Sequence, residues 1–298
     1  LRWKQHEGVV MELSGKHVVV TGGSRGIGEN MAREFARRGA KVTVVARNVD
    51  ALNRVASEIS GNAVVADLTD DSVVDTLIEN IERMHGPIDV LVNNAGVGGN
   101  AVVEECPSSM YLDIMNINLC GAVRCAQEVL PAMRQRKSGC IINVSSVVGR
   151  FAALAQAPYV ASKWALEAMS EGLAQELAPF NIRVAIIEPG ITKSAIFAKN
   201  IDAPNSTGAY EAHYRRMFQF YAAGMANSTD PFEVGAVIRQ AIETTTPRLR
   251  YPVSWGGPEI LARRDSVSDA DWVALGAIED DAEYIASFER LFGISIAT

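Results

Sequence analysis

The chain has 298 residues, 48% of them hydrophobic and 21% charged, which indicates a folded protein with a large core. Its formal net charge of −7 disfavours binding to nucleic acid or to an anionic membrane surface. No apolar run reaches the roughly 18 residues of a transmembrane helix, and residues 1–10 lack the apolar core of a signal peptide, so we expect a cytoplasmic protein.

Short apolar runs alternate with helical patterns along most of the chain. The predicted strands are His17–Thr21, Lys41–Ala46, Ala63–Ala66, Ile88–Val92, Cys140–Val144, Ile182–Ile187 and Leu249–Val253. Between them, apolar residues recur every three or four positions and predict helices, including a long one at 111–134 and one at about 158–177.

The strands are apolar throughout rather than at alternate positions, which is typical of a parallel sheet covered by helices on both faces. The fold class is therefore predicted to be α/β, with a Rossmann-like, doubly wound parallel sheet of about seven strands in a single domain. A ligand of such a sheet binds at the carboxyl ends of the strands.

A glycine-rich segment, Thr21-Gly22-Gly23-Ser24-Arg25-Gly26-Ile27-Gly28, joins the first strand to the first helix. Glycines let the backbone turn sharply and approach a pyrophosphate, which the positive end of the following helix attracts. The spacing is neither that of G-x-G-x-x-G nor that of a P-loop. A tight turn without a ligand is the alternative, but its place between strand and helix favours nucleotide binding.

Tyr159 and Lys163 are four residues apart on a predicted helix, so their side chains share one face. A nearby ammonium favours the anionic form of a phenol, and we expect Lys163 to lower the pKa of Tyr159. Ser146 follows the strand at 140–144, and its hydroxyl is a candidate to bind the same substrate oxygen. The Tyr–Lys spacing alone decides nothing, because it also occurs by chance.

Six signals occur in one order along the chain: the glycine-rich segment, Asn93-Asn94-Ala95-Gly96, Asn118, Ser146, Tyr159-x-x-x-Lys163 and Pro189-Gly190. Together they resemble the short-chain dehydrogenase/reductase family, in which a separation of 13 residues, as between Ser146 and Tyr159, is usual. The resemblance extends from about Leu13 to Gly256. It implies a nicotinamide cofactor and hydride transfer.

The resemblance implies four catalytic residues: Asn118, Ser146, Tyr159 and Lys163. Tyr159 would exchange a proton with the substrate oxygen, and Ser146 would bind that oxygen. Lys163 would bind the nicotinamide ribose and tune Tyr159.

Two neighbouring residues compete for these roles. Asn118 resembles the asparagine that orders a water for proton relay, and Asn116 lies in the same predicted helix, but only Asn118 is in the family register. Ser145, fourteen residues before Tyr159, is expected to be structural.

Charge at the end of the second strand favours NADP(H) over NAD(H). Enzymes of such folds that use NAD place an acid there, whereas this chain has Ala46 followed by Arg47 and Asn48. An arginine pairs with a 2′-phosphate, and Arg25 is where NADP-preferring members of the family carry a second basic residue. Taken singly, each arginine is equally well read as a solvated surface charge.

The resemblance implies further cofactor contacts. The full set is Gly22, Ser24, Arg25, Gly26, Ile27, Gly28, Arg47, Asn48, Asp67, Leu68, Asn94, Ala95, Gly96, Tyr159, Lys163, Pro189, Gly190, Ile191 and Thr192. Asp67 is alternatively a helix N-cap, and Asn94 to Gly96 would also suit a plain turn. Ser194 competes with Thr192 for a phosphate contact, and the sequence does not separate them.

The domain boundaries are predicted as follows. Residues 1–10 are an N-terminal extension, native or foreign to the protein, residues 11–256 form the catalytic domain, and residues 257–298 form a C-terminal extension that ends in an amphipathic helix from about 279 to Gly293. That helix is expected to pack on its own subunit, with capping of a partner subunit as the alternative.

Residues 195–228 match no regular element. The family resemblance implies that this segment is the substrate lid, and a long loop in a compact domain is usually functional. Its large apolar groups are Ile196, Phe197, Tyr210, Tyr214, Met217, Phe218, Phe220, Tyr221 and Met225. They either close over a bulky apolar substrate or pack against the body or a neighbouring subunit. Phe151, Trp164 and His213 are further candidates for the pocket wall.

The favoured function is an NADP(H)-dependent oxidoreductase that interconverts a ketone or aldehyde and an alcohol on a medium-to-large apolar substrate, such as a steroid, retinoid, lipid or aryl compound. The alternatives are an epimerase or dehydratase on the same fold and a non-catalytic NADP-binding regulatory protein. No metal site is expected, since the four cysteines and four histidines are scattered. The resemblance also implies a homodimer or homotetramer assembled through the helices at 111–134 and 158–177.

Overall fold

The computed structural model describes residues 11–193 and 204–297. Within them, seven strands form one sheet in the order β3-β2-β1-β4-β5-β6-β7, and every neighbouring pair is parallel. The strands are β1 (His17–Thr21), β2 (Lys41–Ala46), β3 (Asn62–Val65), β4 (Val90–Asn93), β5 (Gly139–Val144), β6 (Ile182–Pro189) and β7 (Arg250–Val253). The predicted fold class is confirmed, and the predicted strand ends differ from these by at most two residues.

The helices that follow the strands cover both faces of the sheet. In chain order they are α1 (Gly26–Arg37), α2 (Val49–Glu58), α3 (Asp71–His85), α4 (Ser108–Met115), α5 (Gly121–Arg136), α6 (Ala157–Leu177), α7 (Glu211–Ala226), α8 (Pro231–Glu243), α9 (Gly257–Arg264), α10 (Asp269–Ala277) and α11 (Asp281–Phe292). A π-turn at Asn116–Cys120 joins α4 to α5, so the predicted long helix at 111–134 has a wide turn in its middle.

Alternate residues of each central strand enter different cores because successive side chains point to opposite faces of a sheet. Val18 and Val20 of β1 pack with α1, α2 and α8 on one face. Val19 packs with α3 and α5 on the other. Both faces are therefore buried, which explains the continuous apolar runs in the sequence.

The strand order reverses between β1 and β4, whose carboxyl ends lie side by side. In doubly wound sheets this reversal opens a crevice in which ligands bind. The glycine-rich segment after β1 and the Asn94 turn after β4 both lie at this edge.

The segment at 195–228, predicted to be irregular, contains the regular helix α7. Its buried residues Tyr214, Met217 and Phe220 are three apart and form one helix face, a signal that the high density of aromatic residues around them obscures. Ile196 and Phe197, which the same prediction included, lie outside the described residues.

The C-terminal region contains α9 and α10, which the sequence analysis did not predict, and α11, which it did. Asp280 caps α11 by accepting from the Glu283 backbone N–H at 2.8 Å, and Gly293 ends the helix with a left-handed φ of 72°. Phe288 and Phe292 of α11 pack in one cluster with Phe151 and Phe220 of the same chain. The helix therefore buries its face on its own subunit, as expected.

No helix in the two described ranges combines the length and the apolar character required to cross a membrane.

Candidate active site

The glycine-rich segment forms a tight turn that leaves no room for side chains at its glycines. We call this turn the cradle. Gly22 and Gly26 have left-handed φ angles of 65° and 58°, which only glycine adopts without strain. A Cβ at Gly28 would lie 2.3 Å from the Gly22 carbonyl oxygen, so the first turn of α1 contacts the segment directly. Asn94 Nδ2 donates to the Thr21 carbonyl at 2.9 Å and fixes the cradle to the end of β4. Backbone N–H groups at a helix N-terminus favour a phosphate, so the cradle fits a dinucleotide.

A cavity of about 940 Å³ extends from this cradle along the carboxyl edge of the sheet. All the residues that the sequence analysis assigned to the cofactor line it, as does Ser146. It also includes Gln156, which that analysis missed; Gln156 is 4% exposed and precedes α6, and no pattern in the sequence marks it.

The adenosine end of the cavity carries a paired arginine. Arg47 Nη1 lies 3.4 Å from Asp67 Oδ2, and the Arg47 side chain is 64% exposed. Asp67 Oδ1 also accepts from the Thr69 backbone N–H at 3.0 Å and from its hydroxyl at 2.8 Å, and these bonds lower the pKa of Asp67. The N-cap of α3 is Asp70, so Asp67 does not have the N-cap role left open above.

Asn48 and Arg25 flank the same end. The Asn48 side chain caps α2 by accepting from the Ala51 backbone N–H at 2.8 Å. Arg25 is the exposed residue immediately before α1. Arg25 and Arg47 thus contribute two exposed cations to one rim of the cavity, and Ala46 leaves that rim without an acid at the end of β2.

The Ser146 hydroxyl lies beside the Tyr159 phenol and acts to lower its pKa. Ser146 Oγ also donates to the Pro189 carbonyl at 3.3 Å and accepts from the Val148 backbone N–H at 3.3 Å, which orients it toward the cavity. Ser145, in contrast, is buried, and its Oγ has no hydrogen-bond partner within the described chain. Of the two serines, only Ser146 meets Tyr159.

Tyr159 does not have the lowered pKa that its spacing from Lys163 predicted. Loss of hydration raises the pKa of Tyr159 to about 12, and the neighbouring Ser146 hydroxyl only partly opposes this. Lys163 Nζ lies 5.8 Å from the centre of the Tyr159 ring and donates to the Val144 carbonyl at 2.9 Å. Burial lowers the pKa of Lys163 to about 8, so desolvation dominates at both groups.

Asn118 lies in the π-turn and is 1% exposed. Its Oδ1 accepts from the Val97 backbone N–H at 2.8 Å, and its Nδ2 donates to the Val97 carbonyl and the Ser162 hydroxyl, each at 2.9 Å. Asn116 instead accepts from Arg124 at 2.9 Å. An added Cβ at Gly96 would lie 3.1 Å from Asn118 Oδ1 and 3.8 Å from Lys163 Nζ, so both side chains lie beside Gly96.

The turn after β6 closes the end of the cavity opposite the cradle. Gly190 packs so tightly that a Cβ would lie 2.0 Å from the Trp255 carbonyl oxygen. Thr192 is 1% exposed, and its hydroxyl lies 2.8 Å from the Ser254 hydroxyl. Its predicted competitor, Ser194, lies outside the described residues.

Aromatic groups of α7 form part of the cavity wall. Phe220 and Tyr221 line it, and the Tyr221 hydroxyl donates to Asn100 Oδ1 at 3.0 Å. Phe151 belongs instead to the buried aromatic cluster, at 5.2 Å between ring centres from Phe292. Trp164 and His213 line a second cavity of about 600 Å³, so these three predicted wall residues lie elsewhere.

Comparison with known proteins agrees with this geometry. A family model described as short chain dehydrogenase matches residues 16–205. An uncharacterized oxidoreductase, YusZ, from Bacillus subtilis (strain 168) is 33% identical over 257 residues, which cover 82% of this chain and 91% of that protein. The chain belongs to the short-chain dehydrogenase/reductase family. It is therefore an enzyme of the oxidoreductase class.

Two solved structures share most of the fold of this chain. A short-chain dehydrogenase from Streptomyces avermitilis has a TM-score of 0.78 at 31% identity and covers 89% of this chain and 99% of its own. An actinorhodin polyketide ketoreductase variant solved with NADPH has a TM-score of 0.70 at 26% identity, with coverage of 81% and 96%.

Proposed function

We propose that this short-chain dehydrogenase uses NADP(H) to interconvert a ketone or aldehyde and an alcohol on a medium-to-large apolar substrate. The observation that carries the proposal is that Ser146, Tyr159 and Lys163 line one cavity together. When bound, the nicotinamide supplies or accepts the hydride.

The chain's own residues handle the proton and the substrate oxygen. Tyr159 donates its phenolic proton to the oxygen as a carbonyl is reduced, and takes it back when an alcohol is oxidised. Ser146 Oγ holds the same oxygen by turning its proton from the Pro189 carbonyl to the substrate, while the Val148 backbone N–H keeps the oxygen of the hydroxyl in place. Lys163 stabilises the phenolate that remains and binds the nicotinamide ribose.

Asn118 completes the proton path in this proposal. Its side chain is saturated by Val97 and Ser162, so it holds the π-turn and the Val97 segment at the cavity edge. We propose that a water ordered beside Asn118 and Lys163 returns the proton to Tyr159.

The preference for NADP(H) rests on charge at the adenosine end. Arg25 and Arg47 supply positive charge at the rim, and β2 ends in Ala46 instead of an acid. Asp67 competes for Arg47, yet both side chains are well exposed and their 3.4 Å contact is a weak surface pair. Arg47 would pair with a 2′-phosphate in preference to Asp67, because the phosphate carries the greater charge. The NADPH in the ketoreductase structure supports the same choice.

The substrate class follows from the wall near Tyr159. Phe220 and Tyr221 line this part of the cavity together with Val148 and Ile191, and none of these side chains is charged. We propose that α7, in the described part of the predicted lid, closes over the substrate. An apolar substrate gains from desolvation there.

We also propose a cytoplasmic homodimer or homotetramer assembled through α4, α5 and α6. Leu112 on α4 and Trp164 on α6 are 71% and 47% exposed, so both side chains are available for contact with a second copy of the chain. Light scattering after size-exclusion chromatography tests this assembly: Leu112→Glu should yield the monomer, and a monomeric wild type would overturn it.

A panel of apolar ketones and secondary alcohols, followed by NADPH absorbance, tests the function directly. We expect turnover with bulky aryl or long-chain ketones and little with short polar ones. A panel without turnover, combined with tight NADPH binding, would favour the regulatory binding protein instead.

A further inference from the structure

Two buried glutamates lie behind the catalytic lysine. Glu167 on α6 and Glu188 on β6 are 4% and 0% exposed, and Arg150 and Arg250 lie beside them. We call these four residues the Glu–Arg cluster. None of the four has a role in the hydride-transfer mechanism proposed above.

Glu167 is one helical turn beyond Lys163, so both side chains lie on the same face of α6. Its Oε2 accepts from Arg250 Nε at 3.0 Å, while its buried Oε1 has no hydrogen-bond partner among the described residues. The negative charge of Glu167 raises the pKa of Lys163 and opposes the effect of burial.

Glu188 is less well compensated than Glu167. Neither of its buried oxygens has a hydrogen-bond partner in the described ranges, and its two nearest cations, Arg150 Nη1 and Arg250 Nε, are both 3.9 Å from Oε1. Those guanidiniums bond elsewhere, Arg150 to Asp265 at 2.9 Å and Arg250 to Glu167. Burial, with the charge of Glu167, raises the pKa of Glu188 to about 7.

Gly149 packs tightly between the Glu–Arg cluster and the turn that carries Ser146. A Cβ at Gly149 would lie 2.6 Å from Ser145 Oγ and 2.9 Å from Glu167 Cγ. The Gly149 backbone therefore packs directly against the Glu167 side chain, which is held between the turn and Arg250 of β7. Exclusion of water strengthens the field of its carboxylate at Lys163.

We propose that Glu167 is a positioning residue, a buried counter-ion that favours protonation of Lys163 from one helical turn away, and that Glu188 beside it holds a proton below neutral pH. The consequence for the reaction rests on the proposed function, because Lys163 acts there on Tyr159. The charged and titratable groups that face this site are Tyr159 and Lys163 on α6, Glu188 on β6, Arg250 on β7 and Arg150 after the turn. Glu171 and Asp265 bind the two arginines from the solvent side.

Lysine titration by NMR tests the counter-ion role without cofactor or substrate. The chain has seven lysines, few enough to resolve after ¹³Cε labelling, and Lys163→Met assigns the signal. We expect Glu167→Gln to lower the pKa of Lys163 by about one unit, roughly a tenfold loss of proton affinity. The matched control is Glu171→Gln, since Glu171 also accepts from Arg250, at 2.7 Å, but is 54% exposed. An unchanged Lys163 titration in Glu167→Gln would overturn the proposal.

Two further measurements keep the proposal testable if Glu167→Gln does not fold. Glu167→Asp retains the charge, and Lys163 should then titrate close to wild type; a drop as large as that expected for the amide would contradict a counter-ion role. In NMR spectra of the protein labelled with ¹³Cδ-glutamate, one carboxyl signal should titrate near neutral pH. That signal should be absent from the Glu188→Gln variant. If all glutamates titrate below about pH 5, Glu188 does not hold the proton.

These titrations are independent of turnover. A wrong substrate class would leave the Lys163 and Glu188 signals as expected. Normal signals with an inactive panel would therefore refute the proposed function alone, whereas an unchanged Lys163 titration in an active enzyme would refute the counter-ion role alone.

Discussion

Lys163 Nζ donates to the carbonyl oxygen of Val144, the last residue of β5, at 2.9 Å. This bond attaches α6 to the carboxyl edge of the sheet, two residues before Ser146 on the chain. It fixes the ammonium in the same place as the Ser146–Tyr159 pair, so the lysine contributes charge to the site from a fixed position rather than from a flexible stem.

Replacing Tyr159 with phenylalanine should abolish turnover and retain cofactor binding. The phenol is the proposed proton donor, and loss of a general acid typically costs 10² to 10⁴ in rate. Steady-state kinetics and NADPH-induced thermal protection measure the two effects separately. The control is Tyr284→Phe, which removes a hydroxyl outside the main cavity. A Tyr159→Phe enzyme with wild-type turnover would rule out the proposed mechanism.

NADPH should protect the wild type against thermal unfolding more than NADH does at equal concentration. Arg47→Ala should weaken NADPH binding about tenfold and leave NADH binding unchanged, since only NADPH carries the phosphate that Arg47 would pair with. The control is Arg38→Ala, an exposed arginine at the far end of α1 that pairs with Glu34 at 3.2 Å. Equal protection by the two cofactors would remove the argument for NADP(H).

The sheet was predictable because its strands carry one simple signal. Buried parallel strands must be apolar on both faces, and the run at 17–21 shows this without any tertiary information. The edge at which the candidate site lies follows from the order of strands and helices, since the carboxyl ends of parallel strands share one side of the sheet.

The electrostatics of the site could not be predicted in the same way. The spacing of Tyr159 and Lys163 indicated a shared face but not the loss of water around each group, which is the larger effect on both pKa values. Glu188 illustrates the same limit. It follows an apolar run in the sequence, and only the packing of β5, β6 and β7 shows that its carboxyl is left without a hydrogen bond.

Glu188 should make stability depend on pH in a defined direction. Its folded-state pKa, about 7, is above the unfolded value, so between about pH 4.5 and 7 the folded chain binds more protons than the unfolded chain. This contribution to stability is fully present below the unfolded pKa and is lost as pH rises through 7.

Glu188→Gln removes that titration. The free energy of unfolding of the variant relative to wild type should therefore increase by about 2 kcal/mol between pH 5 and pH 8. Urea unfolding at the two pH values measures it, with Glu171→Gln as an exposed control from the same region. A difference that does not change with pH would show that Glu188 is already ionised at pH 5.

Asn118→Ala should lower the free energy of unfolding by about 2 kcal/mol, because it leaves the Val97 backbone N–H and carbonyl without their partners in a half-buried place. It should also slow turnover, since the Val97 segment borders the cavity. Asn116→Ala is the control: it loses one bond to Arg124 and should cost less than about 1 kcal/mol. If the two variants lost equal stability, the hydrogen bonds of Asn118 to Val97 would not have the importance proposed for them.

The C-terminal extension should be required for both stability and the shape of the substrate wall. Phe288 on α11 is 2% exposed and lies 6.1 Å between ring centres from Phe220, whose ring also lines the cavity. Phe288→Ala should therefore lower the free energy of unfolding by about 3 kcal/mol and raise KM for bulky substrates, because Phe220 loses its support. Val273→Ala, at a side chain 72% exposed on α10, should change stability by less than about 0.5 kcal/mol. The measurements are chemical denaturation and the KM for a bulky ketone. A Phe288→Ala enzyme that is destabilised but retains the wild-type KM would show that the extension does not shape the substrate wall.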